Sequence, residues 1–205
     1  MEPFTTLRAR ALPLPLANVD TDQIIPARFL ARPRAEQVEA CFHDLRLDAQ
    51  GRPKPDFPMN DPARAGARIL VAGRNFGCGS SRESAVTTLI DNGFRAFVAP
   101  SFGDIFFNNC FQNGALPVRL PAERIEALLA LLAADPEAEI AIDLHRGEIA
   151  GPDGVVDRFE VDGFRRDCLL RGVDVIDLTL GHGPEIAAFE ARQAQERRWL
   201  DRLPA

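Results

Sequence analysis

The sequence predicts an α/β domain built on parallel strand–helix–strand units. Two observations carry this. Residues 68–134 read strand, helix, strand, helix, strand, helix, with turn residues at the junctions. Residues 138–161 then change to a hairpin-like alternation around Gly151-Pro152-Asp153-Gly154. A chain of 205 residues suits one domain with a sizeable buried core, so residues 1–205 are read as a single domain.

The elements follow in order. Residues 4–16 alternate like a strand, and Pro13 and Pro15 place it at a sheet edge, because proline cannot donate to a ladder. Residues 18–22 are polar and turn-prone. Residues 31–65 hold Pro33, Pro53, Pro55, Pro58 and Pro62 with little periodicity. They read as a mobile surface excursion with one short helix over 35–42. Residues 68–73 are an apolar run ending in glycine, a buried strand. A glycine-rich loop covers 74–81. Ser80-x-x-Glu83 has capping-box spacing and opens a helix to Asp91, stopped by Asn92-Gly93. Residues 95–99 are the next strand. Ser101-x-x-Asp104 opens a second helix through Gln112, closed by Asn113-Gly114. Residues 116–120 form a third strand, and 121–134 a helix with proline in its first turn. Residues 138–144 and 155–161 read as strands, and 164–171, 175–180 and 185–199 as helices.

Composition excludes several functions. Lys and Arg number 24 against 30 Asp and Glu, so the net charge is −6. That disfavours non-specific binding to nucleic acid or to anionic membranes. There is no Tyr and one Trp, so stacking platforms for bases are not evident. No stretch approaches the ~20 apolar residues of a membrane span. Residues 1–17 lack a continuous apolar run of the signal-peptide kind, and the chain reads as cytoplasmic. Cys41, Cys78, Cys110 and Cys168 include no C-x-x-C pair, and the three His are scattered. A metal or iron–sulfur site built from this chain alone is not expected; the cysteines read as free thiols in a reducing compartment.

The stretch from Gly73 to Glu83 is the densest in chemistry. Its glycines let the backbone bend and let a ligand come close. A following helix N-terminus offers unpaired N–H groups to an anion, and Arg74 and Arg82 could grip a carboxylate. Known templates fail: no Lys for a P-loop, Arg82 where a dinucleotide fingerprint needs glycine, and Glu83 where a nucleophile elbow needs it. Two readings stay open, an anion-binding active-site loop or a tight turn with a serine N-cap. Asp20 and Asp22 could bind a metal or position a catalytic Arg or Ser, or simply form an Asx turn. The Phe residues around Asn108-Asn109-Cys110 read as core, with Cys110. Cys78 is the one thiol with a credible functional reading, as a lone nucleophile, but no His lies near it in sequence.

Three segments carry a resemblance: N-V-D-T-D-Q-I-I-P (18–26), N-F-G-C-G-S-S-R-E (75–83) and S-F-G-D-I-F-F-N-N-C-F-Q-N-G-A-L-P-V (101–118). Together with F-R-R-D-C-L-L-R-G-V-D-V-I-D-L-T-L (164–180), they resemble the small subunits of bacterial 3-isopropylmalate dehydratases, a family that belongs with the aconitases. The resemblance implies a swivelling β/β/α three-layer domain, like the mobile C-terminal domain of aconitase. It implies a separate large subunit that holds a [4Fe–4S] cluster, with no cluster or metal bound by this chain. It implies isomerisation of 2-isopropylmalate to 3-isopropylmalate through 2-isopropylmaleate, in leucine synthesis. By motif match, Ser80 is the base, Gly79, Ser81 and Arg82 bind a small dicarboxylate hydroxy acid, and Asp22 and Asn75 support the site. One departure stands out. The family continues S-R-E-H-A-P-W-A-L, and this chain reads S-R-E-S-A-V-T-T-L over 81–89. That leaves open another 2-substituted malate as substrate, with residues 28–60 as the specificity region, or a non-catalytic binding module of the same fold.

Overall fold

Strands β1 (Thr6–Leu14), β2 (Ile69–Ala72), β3 (Ala96–Ala99), β4 (Leu116–Arg119), β5 (Glu139–Asp143), β6 (Glu148–Ala150) and β7 (Val156–Arg158) pair side by side. Their order in one sheet is β4-β3-β2-β1-β5-β6-β7. The computed structural model describes residues 1–197. The chain divides into two compact units, Met1–Gly172, which holds the sheet, and Val173–Ala205.

Strand β1 changes partner half-way. Thr6 to Arg10 pair antiparallel with β5, and Ala11 to Leu14 pair parallel with β2. The β2–β3 and β3–β4 pairs are parallel, and the β5–β6 and β6–β7 pairs antiparallel. The expected edge position of residues 4–16 is therefore corrected: β1 is the central strand. The prolines are tolerated for a local reason. The Ala11 N–H faces the β5 side, donating to the Ala138 carbonyl. Two residues on, Pro13 presents its nitrogen on that same side, past the last residue of β1 paired with β5. No ladder bond is lost.

The α/β expectation stands, with helices on both faces of the parallel half. Helices α4 (Glu83–Asp91) and α5 (Asp104–Gln112) cover one face. There Leu12, Leu14, Leu70, Ala72, Phe97 and Ala99 join one buried cluster with Ala85, Leu89 and Phe106. Helices α6 (Ala122–Ala134) and α7 (Gly163–Arg171) supply Ile125, Leu128, Leu132 and Leu169 to the other cluster, with Ile69, Val71, Ala96 and Val98. Alternate residues of each strand go to opposite clusters, the period of a pleated strand. Being covered on both faces, β2 and β3 are apolar and buried throughout.

Two local expectations are corrected. Neither Ser80 nor Ser101 caps a helix: the N-caps are Arg82 and Gly103, and neither makes a side-chain cap bond. The hairpin is two hairpins, because β6 lies between the anticipated strands. Only Ile149 of its three residues is buried, too short an alternation to detect. Arg124 of α6 clamps the β6–β7 turn through Asp153 and the last strand through Asp157.

Between β1 and β2 the chain makes three single turns of helix, α1 (Thr21–Ile24), α2 (Arg34–Gln37) and α3 (His43–Arg46), with 3-10 turns between them. The single helix expected over 35–42 is broken by a 3-10 turn at Val38–Ala40 and by left-handed backbone at Phe42, φ 50°. Phe29, Ala40, Cys41, Phe42 and Phe57 are buried in the α4-side cluster. Arg34 grips Asp91 of α4 with two hydrogen bonds, of 2.7 and 2.8 Å. In the second unit, α8 (Val175–Leu180) opens on a capping box between Asp174 and Asp177, and α9 (Gly183–Glu196) has proline in its first turn. The expected helix over 185–199 thus begins earlier, at Gly183, and ends at Glu196, while Trp199 lies outside the described residues.

Candidate active site

The loops that leave the C-terminal ends of β1, β2 and β3 meet at one end of the parallel half-sheet. This is where open α/β sheets place their ligands. The loop after β2 is held on both sides by backbone hydrogen bonds. On one side, the Asn18 N–H donates to the Arg74 carbonyl (2.8 Å), Gly77 N–H to Val19 (2.8 Å) and Thr21 N–H to Cys78 (2.9 Å). On the other, Phe76 N–H donates to the Ser101 carbonyl (3.0 Å) and Gly103 N–H to Phe76 (2.9 Å). The Asn75 N–H donates to Ser101 Oγ at 2.9 Å, which is how that serine is used instead of capping. Three segments far apart in sequence thus lie as three adjacent strands of backbone.

Phe102, Phe106 and Phe111 are buried, as the core reading of the residues around Cys110 has it, and phenyl rings form the floor under the loop. The buried Phe76 ring meets Phe106 edge-on at 5.2 Å and stacks on Phe97 at 6.4 Å. Gly77 sits directly on that floor at φ +71°, and a Cβ there would lie 2.2 Å from the Phe106 ring. Cys110 is fully buried beside them.

Ser80 and Ser81 are exposed. Among the described residues neither hydroxyl makes a hydrogen bond. The N-cap reading of Ser80 is removed because α4 starts only at Glu83, after Arg82 in extended conformation at φ −139°. Gly79, at φ +92°, packs so closely on Asp20 that a Cβ would lie 3.3 Å from that side chain. The Ser80 carbonyl accepts from Thr21 Oγ1 at 3.0 Å. Asn75 stands at the loop's entrance in left-handed backbone, φ 58°, which Asn tolerates better than most residues. Its side-chain amide donates to Asn18 Oδ1 at 3.0 Å. The structure therefore brings Asp22, Asn75, Gly79, Ser80, Ser81 and Arg82 to one place.

The two aspartates have different jobs. Asp20 is a cap: its Oδ1 accepts from the Gln23 N–H at 2.7 Å, and Gln23 Oε1 accepts from the Asp20 N–H at 2.9 Å. Asp22 holds Arg82, with Nη1 to Oδ1 at 2.6 Å and Nη2 to Oδ2 at 2.8 Å. Arg82 Nη1 also donates to the Ile25 carbonyl at 3.3 Å. These use three of the five guanidinium N–H donors. The Nε–H and the second Nη2 hydrogen, on one edge of the guanidinium, remain for a second carboxylate. The Arg82 hydrogen bond holds the Asp22 carboxyl below its ordinary range, assisted by the Ala27 N–H. Arg74 is exposed and makes no ion pair among the described residues.

Burial, then the charge of Asp20, pushes the Cys78 thiol up, which opposes its reading as a nucleophile. Burial pushes Cys41 up to about 12 and raises Cys110 well above the ordinary thiol value. Among the described residues no group of three or more His, Cys, Asp or Glu is placed to hold a metal. No described helix is long and apolar enough to cross a membrane. Sequence reasoning missed Thr21 and the Ile25 carbonyl. A signal for the first existed: Asp20-x-x-Gln23 has capping-box spacing, which marks a helix start at Asp20 and sets Thr21 and Asp22 on different faces of its first turn.

The chain is similar to known proteins throughout its length. The family described as the aconitase C-terminal domain matches residues 1–123, and LeuD_N matches 126–163. The family described as the C-terminal domain of the 3-isopropylmalate dehydratase small subunit matches 176–202. A 3-isopropylmalate dehydratase small subunit from Jannaschia sp. is 50% identical over 98% of this chain and 100% of its own length. One from Agrobacterium fabrum is 48% identical over 97% of this chain and 100% of its own. The crystal structure of a 3-isopropylmalate dehydratase from Methanocaldococcus jannaschii superposes with a TM-score of 0.66 at 28% identity, covering 89% of this chain and 99% of that one. A loop built from three matched segments, on a sheet that superposes at this level, leaves one assignment: the chain belongs to the family of 3-isopropylmalate dehydratase small subunits, within the aconitase C-terminal-domain proteins.

Proposed function

We propose that this chain supplies the proton-transfer half of a site that isomerises 2-isopropylmalate to 3-isopropylmalate through 2-isopropylmaleate, working with a separate large subunit in leucine synthesis. One observation carries the reading. Two hydroxyls with no partner among the described residues adjoin, in sequence, an Arg82 whose guanidinium is pinned by Asp22 yet keeps a two-donor edge. That edge fits a substrate carboxylate. Ser80 Oγ takes the proton from the carbon next to that carboxylate and returns it at the neighbouring position. A serine oxygen does this only if its alkoxide is stabilised, and positive groups around it must supply that. The N–H groups of Gly79, Ser80 and Ser81 donate to no acceptor among the described residues, so they are available. Gly79 lets the backbone approach, Ser81 adds a hydroxyl for the substrate, and Asn75 holds the loop's entrance.

We assign the [4Fe–4S] cluster to the large subunit. Among the described residues the donors do not suit one: Cys41, Cys110 and Cys168 are buried, burial raises the Cys41 and Cys110 thiols, and no three His, Cys, Asp or Glu are grouped to hold a metal. The cluster's iron supplies the Lewis acid for the leaving hydroxyl. We also place the protein in the cytoplasm, in keeping with the free thiols of Cys41, Cys78 and Cys110.

The alternative of another 2-substituted malate rests on residues 84–88. Val86, Thr87 and Thr88 are buried, and only Ser84 is partly accessible. The altered stretch therefore changes packing beneath α4 more than the surface a substrate meets, which favours isopropylmalate.

The test is an anaerobic assay following the absorbance of the conjugated double bond, with this chain alone, cluster-loaded large subunit alone, and both mixed. Activity is expected only in the mixture, and a fall of at least about 10³-fold for Ser80→Ala. Turnover of a different 2-substituted malate in place of isopropylmalate would move the substrate. Unchanged turnover by Ser80→Ala would leave a binding module without proton transfer.

A further inference from the structure

Thr21 is one of the few polar residues buried in the structure, at 2% exposure. It touches the Ser80 loop twice. Its N–H donates to the Cys78 carbonyl at 2.9 Å, and its Oγ1 donates to the Ser80 carbonyl at 3.0 Å. In a trans peptide the carbonyl and the following N–H point in opposite directions. Two carbonyls drawn towards Thr21 therefore turn the N–H groups of Gly79 and Ser81 away from it. Those N–H groups meet no acceptor among the described residues. Nothing else in the described structure holds the Ser80–Ser81 peptide: both side chains are unbonded, and the helix begins only at Glu83. Among the described residues the Thr21 hydroxyl makes the single side-chain bond that fixes this plane.

We infer that Thr21 is a positioning residue for Ser80, its buried hydroxyl locking the Ser80–Ser81 peptide so that the Ser81 N–H is fixed as an anion donor and Ser80 Oγ is presented in one orientation. The inference rests on Ser80 acting as base. It makes Thr21 act on the transition state and not on substrate capture. Fixed donors of this kind cost no reorganisation when charge develops.

The experiment compares Thr21→Val, which keeps the N–H bond and the shape but loses the hydroxyl, with Thr21→Ser, which keeps the hydroxyl. Each is assayed in the assembled holoenzyme for kcat and KM. Each is also read as the ¹⁵N-labelled full chain for the backbone heteronuclear NOE at residues 79–81. Thr21→Val is expected to lose about 10- to 100-fold in kcat, with KM within threefold, and to show a lowered NOE confined to residues 79–81. Thr21→Ser is expected to return kcat to within threefold of wild type and to restore the NOE. If Thr21→Val does not fold, Thr21→Ala carries the same prediction. Wild-type kcat in Thr21→Val overturns the inference, as does a loss in only one of the two readouts or an equal loss in Thr21→Ser. Ser80→Ala separates the two claims. If it is inactive while Thr21→Val is normal, this inference alone fails; if it keeps full turnover, the base assignment fails and takes this inference with it.

Discussion

Gly77 has no room for a side chain, because its backbone is left-handed and the Phe106 ring lies where a Cβ would go. Gly77→Ala should cost about 2–4 kcal/mol from backbone strain and overpacking together. A urea midpoint unchanged from wild type would contradict the packing described. Asp22 is a different kind of residue, exposed and replaceable, whose use is to aim Arg82. Asp22→Asn keeps the shape and removes the charge, so the free edge of Arg82 is no longer held in one direction. KM for the hydroxy acid should rise about tenfold, with kcat changed less; an unchanged KM would show that Arg82 needs no guide. At this scale the loop was legible as a candidate, since glycines, serines and arginine between strand and helix offered either an anion site or a serine-capped turn, and the start of α4 at Glu83 removes the cap. The partners were not. Nothing in a linear reading pairs Asp22 with a residue sixty positions away, and the two serine caps read from spacing failed for different reasons. Ser101 took the Asn75 N–H, and Ser80 lies three residues before its helix begins.

Among the elements, the segment between β1 and β2 is the one least readable from sequence. Its prolines suppress periodicity, yet Phe29, Phe42 and Phe57 sit in the core. A helix or strand announces burial through repetition, whereas single aromatic anchors in irregular backbone do not. Phe42→Ala should therefore cost about 3–5 kcal/mol, as for a fully buried aromatic; a cost under 1 kcal/mol would mean the segment is not docked. Residues 49–53 between these anchors are exposed. We propose that mobility of the 31–65 segment is confined to this outer part, so limited proteolysis should cut there first, ahead of the anchored ends. First cleavage next to Phe42 or Phe57 would oppose that. The alternating strands and helices of 68–134 were readable because strand and helix periods differ and turn residues separate them. Strand β6 was lost because three residues with one buried side chain carry no period.

For the whole molecule, charge sets a pH limit. Asp22, Asp44 and Asp153 are each held below the ordinary carboxylate value by an arginine hydrogen bond, from Arg82, Arg28 and Arg124 respectively. Asp48 is lowered chiefly by the Arg52 N–H. As pH falls through the ordinary value of 3.8, the unfolded chain binds protons that the folded chain refuses. Stability should be flat above about pH 5 and fall steadily below about pH 4. Urea midpoints taken from neutrality down to about pH 3 test this, and a midpoint that rises on acidification would reverse the sign. The fold class was legible at this scale, but the centrality of β1 was not, because both of its partners, β2 and β5, lie far downstream in sequence and each pairs with only part of it. That pairing has a consequence for synthesis on the ribosome. Of the strands in this sheet β1 is made before the others and must wait for β5, since Thr6 pairs with Asp143, and longer still for the Leu169 carbonyl that the Phe4 N–H reaches. Until then β1 can pair only through Ala11 to Leu14, and the half-sheet that has already emerged keeps an open flank beside it. Nascent chains arrested before residue 143 should bind chaperones that recognise bare strand edges, and release them once β5 has emerged.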